Sequence, residues 1–218
     1  MPTDAPQTRR PRRTTLTQYQ QRLLRAFAAT TACGIIGWHI LFGNVLSLFC
    51  HRLGFAPAVI GLLFLTIQAP TIVQIWAARY FDRHGCKPLT IRLFHWGPVL
   101  LIPLLVAPQL GELLGSWATV ASVFLSLLGF ALVNNWANAG WMPLLRFNLP
   151  EKGRLQMIGR INQVAMVVGL GVLIGCVLIV SGSDTPLWRY QMIFLIAVAV
   201  MALRANFLSA VQDVETLP

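Results

Sequence analysis

The residues able to do chemistry in this chain are few, and most lie where a polar group is costly. His39, Asn44, Gln68, Gln74, His95, Asn134, Asn135, Asn138, Asn162 and Gln163 interrupt long apolar runs. Inside lipid such a group marks either a ligand path or a hydrogen bond between helices. Amides and imidazoles can orient a small polar molecule, and His39 and His95 can also titrate near neutral pH. The plainer account of each is packing, worth roughly 0.6 kcal/mol per interhelical hydrogen bond. No carboxylate sits in the core of a run. Glu112 and Asp184 fall in short connections, and Asp82 and Glu151 in basic ones. The runs therefore offer no acidic proton carrier. No phosphate-binding glycine loop, H-E-x-x-H pair or serine elbow is present, so no enzymatic activity is expected. Cys33, Cys50, Cys86 and Cys176 form no C-x-x-C pair and read as small apolar residues, with Cys86 the one expected to be exposed. No metal or cofactor is expected.

The elements that must position these residues follow from composition. Only 11% of the 218 residues are charged and 56% are hydrophobic, with a mean hydropathy of +0.65. A soluble domain carries about 25% charged residues, so lipid is the expected solvent. Six apolar runs are long enough to cross a bilayer, which takes about 20 residues each. They cover Ala26–Phe49, Pro57–Ala78, Leu89–Ala107, Trp117–Leu145, Asn162–Val180 and Leu187–Leu208. In lipid the backbone must satisfy its own hydrogen bonds, so each run is read as a helix. The fold class is all-α, a polytopic membrane protein.

Charge sets the expected orientation. The net charge is +10, but the basic residues sit between apolar runs and form no single face for nucleic acid. Arg9, Arg10, Arg12, Arg13, Arg22 and Arg25 precede the first run. Arg79, Arg83, Lys87 and Arg92 flank the second connection, and Arg146, Lys152, Arg154 and Arg160 the fourth. Arg52 and Arg189 lie on the other side. Arg204, near the end of the sixth run, falls on the side of the tail. This bias places both termini in the cytoplasm. Residues 1–25 read as a basic tail, disordered over Met1–Gln21; 26–210 as the membrane domain; and 211–218 as a linker-like end. The connections His51–Ala56, Pro108–Ser116 and Ser181–Pro186 read as short turns, and Arg146–Ile161 as a longer basic loop.

One charged island, Ala78–Lys87, separates the second and third runs. Gly85 permits positive φ at a tight turn. Asp82 can accept hydrogen bonds from a helix N-terminus or pair with Arg83. A loop that merely sets topology is the plainer account. The island resembles the major facilitator superfamily signature G-x-x-x-D-R-x-G-R-K/R, with Asp82, Arg83, Gly85 and Lys87 in the matching places. Ala78 and Cys86 depart from it. Asn135–Asn162 is similar to the fourth helix and following loop of a bacterial branch of that superfamily, through Trp136, Trp141, Pro150, Glu151, Gly159, Arg160 and Asn162. Glu151, Arg154 and Arg160 can form an ion network there.

The resemblance carries several expectations. It implies six helices as two inverted three-helix repeats, the N-terminal half of a twelve-helix secondary transporter working by alternating access. The location implied is the bacterial inner membrane. His39, Asn44, Asn134 and Asn138 become candidates to line the substrate cavity, because the first and fourth helices do so in the family. Asn134 and Asn138 share one helix face. Gly171-x-x-x-Gly175 is a small-residue stripe for close helix packing, within this half or against another. The expected partners are the lipid bilayer, a small-molecule substrate and a second six-helix half, on a separate chain or in a second copy. The competing readings are a non-transporting membrane protein that assembles a larger complex and a truncated transporter product.

Overall fold

The structure is a computed structural model and describes residues 18–149, 151, 154–180, 185–209 and 211. The basic tail with Arg9, Arg10, Arg12 and Arg13, together with Pro150, Lys152, Gly153, Asp184 and residues 212–218, lies outside the described residues. Among the described residues there is no strand, and six helical segments are long and apolar enough to cross a membrane. The chain is a helical membrane protein by length and composition.

The spans are not uniform rods, and their breaks follow from Gly and Pro. The first joins α1 (Gln18–Phe42) to α2 (Asn44–Arg52) across Gly43. A Cβ at Gly43 would collide with the His39 carbonyl, so the chain can bend there only with glycine. The second joins α3 (Pro57–Gln68) to α4 (Val73–His84) through a 3-10 turn holding Pro70. The third joins α5 (Lys87–Trp96) to α6 (Ile102–Leu105) through another, with Pro98 and Pro103 at the joints. Proline lacks the N–H that an α-helix interior needs, so the ladder tightens or restarts at each. The fourth, fifth and sixth spans are α8 (Ser116–Asn148), α9 (Arg154–Val180) and α10 (Leu187–Leu208).

Three expectations are corrected. Helix α1 begins at Gln18, inside the stretch read as tail. The stretch Pro108–Ser116, read as a turn, contains the helix α7 (Ala107–Leu114). Its Pro108 sits in the first turn, where the missing N–H costs nothing. The long basic loop Arg146–Ile161 shrinks to a short connection, because α8 runs to Asn148 and α9 starts at Arg154.

Packing gives a definite neighbour map. Helix α1 lies against α9 and α10, α8 lies against α4 and α5, and α10 lies against α5. Phe49 at the centre of one core meets Phe194 edge-on, 5.0 Å between ring centroids. A second core joins Leu23 and Phe27 to Leu145, Met157 and Leu208. The outer surface is apolar as well. On α9, Met166, Val167 and Leu178 are each more than 70% exposed, which suits contact with lipid rather than water.

Candidate functional site

The polar residues of the spans fall into separate groups. Asn134 and Asn138 do share a face of α8, and what they face is Arg204 of α10. Arg204 donates from Nη1 to Asn134 Oδ1 at 3.1 Å and from Nη2 to Asn138 Oδ1 at 3.1 Å. Its guanidinium stands 3.9 Å from the centre of the Phe94 ring on α5. Gly34 of α1 closes the arrangement: a Cβ there would lie 3.1 Å from Arg204 Cζ. Four helices thus meet on one cation that is only 7% exposed.

The electrostatics of this cluster are lopsided. An arginine at the centre of a span costs about 3 kcal/mol on insertion scales, and Arg204 is buried four residues from the end of α10. Hydrogen bonds to a charged group return about 1.5–3 kcal/mol each, and a desolvated cation–π contact about 2 kcal/mol. These terms offset the burial without supplying negative charge. Helices α1, α5, α8, α9 and α10 contain no Asp or Glu, so no carboxylate on them neutralises Arg204. Arg204 Nε and, nearby, Thr31 Oγ1 are buried with no hydrogen-bond partner among the described residues.

Beside Arg204 lies a cavity of about 180 Å³ between α1 and α8, lined by Thr31, Gly34, Trp38, Asn134, Asn138 and Trp141 among others. Aromatic pairs join α1 to α8 on either side of it along the helices. Phe27 meets Trp141 edge-on at 5.0 Å, and Phe42 stacks near Phe130 at 5.9 Å. Between these contacts the two helices are held apart.

The other candidates lie elsewhere. His39 and Asn44 border a different, almost wholly apolar cavity of about 160 Å³ against α9, with Leu173, Cys176 and Val177. His39 packs on Gly169, where a Cβ would come within 2.8 Å of its Nε2. The four cavity candidates therefore split into two pairs. Gln74 and Asn135 are structural. Gln74 Nε2 donates to Asn135 Oδ1 at 2.7 Å, tying α4 to α8. His95 contacts the Ile91 carbonyl and Asn206 Oδ1 through its ring nitrogens, at 3.0 and 3.2 Å. Gln68, Asn162 and Gln163 are exposed.

In the charged turn, Gly85 adopts φ +81°, ψ 157°, a conformation open to glycine. Lys87 Nζ donates to the Ser209 carbonyl at 3.0 Å, anchoring the start of α5 on the end of α10. Asp82 and Arg83 are exposed, and neither of the two roles open to Asp82, accepting from a helix N-terminus or pairing with Arg83, is taken up among the described residues. The buried members of the turn are Phe81 and Cys86, which pack with Ala77 and Leu144; the exposure expected of Cys86 is corrected, because the turn folds its thiol into this small apolar cluster. The ion network expected of Glu151, Arg154 and Arg160 is also absent among the described residues. Arg154 Nη2 donates instead to the Leu149 carbonyl at 3.3 Å, while Glu151 and Arg160 are exposed. Helix α9 puts Arg154 and Arg160 on its own surface, away from a common point. Gly171 and Gly175 meet nothing within 4 Å of an added Cβ, so the stripe is not used for packing among the described residues.

Arg204 is the residue that sequence reasoning missed. Its charge was counted for topology. The available signal was the pair Asn134 and Asn138, a polar face that needs a donor, together with an arginine inside the sixth span. No family model, curated protein or solved structure matches this chain. Fold and site together define a class, a six-span helical membrane protein with an uncompensated buried cation beside an intramembrane cavity.

Proposed function

We propose that this chain forms one six-helix half of a major-facilitator-like secondary transporter, working by alternating access with a second six-helix half. The observation that carries the reading is the groove between the first and fourth spans, where Thr31, Asn134, Asn138 and Arg204 converge. Central cavities of such carriers lie between repeats near the middle of the membrane. The neighbour map supports the same reading. The first span packs on the fifth and sixth, the fourth on the second and third, and the sixth on the third. Exchanging first with fourth, second with fifth and third with sixth maps these principal contacts onto themselves, a pattern in keeping with two related three-helix repeats. The distribution of Lys and Arg favours both termini being cytoplasmic, and the resemblance to the superfamily's bacterial branch favours a bacterial inner membrane.

The test is functional reconstitution. A photo-crosslinker in place of Asp82 identifies the neighbouring half in the native membrane. Saturable solute uptake is expected when that half is reconstituted with this chain, and none from the chain as a monomer. Uptake by a monomer, shown monomeric by cross-linking, overturns the two-half reading. The reading as an assembly protein has one observation in its favour, the outward-facing Gly171 and Gly175 on the apolar side of α9. Stoichiometric copurification with a non-transporting complex, with the stripe at the contact, would establish it instead.

A further inference from the structure

We propose that the groove at Arg204 binds a small organic carboxylate, its charge on the guanidinium and its apolar body between Trp38 and Trp141. This rests on the transport reading for its biological meaning, but binding can be measured on this chain alone.

A guanidinium offers five N–H donors. The two contacts in the structure run from Nη1 and Nη2 to amide oxygens, which accept hydrogen bonds and carry no net charge. Nε, buried, has no partner among the described residues. No acidic residue lies on any of the helices that surround Arg204. A buried cation in this state has one donor without an acceptor and no counter-ion on those helices, and one carboxylate supplies an acceptor and a charge. Arginine binds carboxylates through paired N–H donors, more strongly than it binds neutral acceptors.

The rest of the groove fits the rest of such a ligand. Thr31 Oγ1 is buried without a partner and lines the same cavity, so its hydroxyl can donate to a second carboxylate oxygen. Trp38 and Trp141 offer flat apolar surfaces, and Ile35 and Met201 complete the lining. A volume of about 180 Å³ admits a single ring or short chain beside the carboxylate. Phe94 on one side and Gly34 on another hold the guanidinium in place before any ligand arrives. That preorganisation lowers the ordering cost of binding. A neutral amide of the same shape would satisfy hydrogen bonds and leave the charge uncompensated.

The experiment is isothermal titration of the full chain in nanodiscs of neutral phosphatidylcholine. The probes are butyrate, cyclohexanecarboxylate and benzoate, each paired with its amide. Saturable binding of at least one acid is expected, at least tenfold tighter than its amide. Arg204→Gln should abolish it. Asn138→Asp places a carboxylate on the guanidinium from within, so it should weaken binding at least tenfold while raising the thermal midpoint. This second variant serves if Arg204→Gln does not fold. Equal affinity for acids and amides, unchanged affinity in Asn138→Asp, or no binding of any acid overturns the proposal. Discs doped with phosphatidylglycerol separate the source of the anion: binding of that lipid with no response to the soluble acids overturns a soluble ligand. Acid binding without uptake by the paired halves would leave this inference standing and defeat the transport reading. Uptake without acid binding would do the reverse.

Discussion

The charged turn at Ala78–Lys87 and the Arg204 cluster invert one another. In the turn the recognisable side chains, Asp82 and Arg83, point outward, and stability rests on Phe81 and Cys86, which are no part of the signature. Around Arg204 the polar side chains are themselves the packing, and the cation sits among Asn134, Asn138, Phe94 and Gly34. A polar residue that faces outward can be spelled by a short motif, because it needs little from the rest of the chain. A buried one is specified by distant helices and leaves almost no local pattern. The turn thus carries the resemblance and the cluster carries the chemistry.

The largest break in that contrast should come from the turn's apolar anchor. Phe81 is 2% exposed and touches the site of Gly140 on α8, where a Cβ would lie 3.1 Å from the ring. Phe81→Ala is expected to cost about 3 kcal/mol through the cavity it leaves. The loss is measurable as a lowered unfolding midpoint in lipid nanodiscs. A change below about 0.5 kcal/mol would mean that the turn is not held by its apolar members.

Asn134→Leu comes next. It removes one acceptor from a buried guanidinium whose Nε already lacks one. A cost of about 2 kcal/mol is expected, within the range for hydrogen bonds to charged groups. The double variant with Arg204→Met should be more stable than the sum of the two singles predicts, because removing the charge also removes the need for its acceptor. Strict additivity in that cycle would show that Asn134 acts only by filling space.

Much of the fold was legible and half of the site was not. The sixth run was read with the bounds it has, Leu187–Leu208, since a continuous apolar stretch between polar ends leaves little choice. The i, i+4 relation of Asn134 and Asn138 was legible because it is a property of one helix. What that pair meets was not, since Arg204 lies on another helix and a basic residue near a span end looks like a topology marker. The division of His39 and Asn44 from Asn134 and Asn138 was hidden for a similar reason. Which face of α1 meets α9 and which meets the groove depends on tertiary packing. Helix α7 was hidden by Pro108 and Gly111, residues that signal a turn until neighbours favour a helix.

The smallest expected effect is the sharpest test of the contrast. Asp82 is exposed and has no hydrogen bond or ion pair among the described residues. Asp82→Asn in the isolated chain should therefore change stability by less than about 0.5 kcal/mol, as surface substitutions do. In the proposed two-half transporter, the turn faces the second half, and the carboxylate steadies one state of the cycle. The same substitution should then slow uptake severalfold in the reconstituted pair while leaving the unfolding midpoint of this chain in place. A stability loss of equal size with and without the second half would make Asp82 a structural residue. The outward turn and the inward cluster would then differ in burial alone, not in what they do.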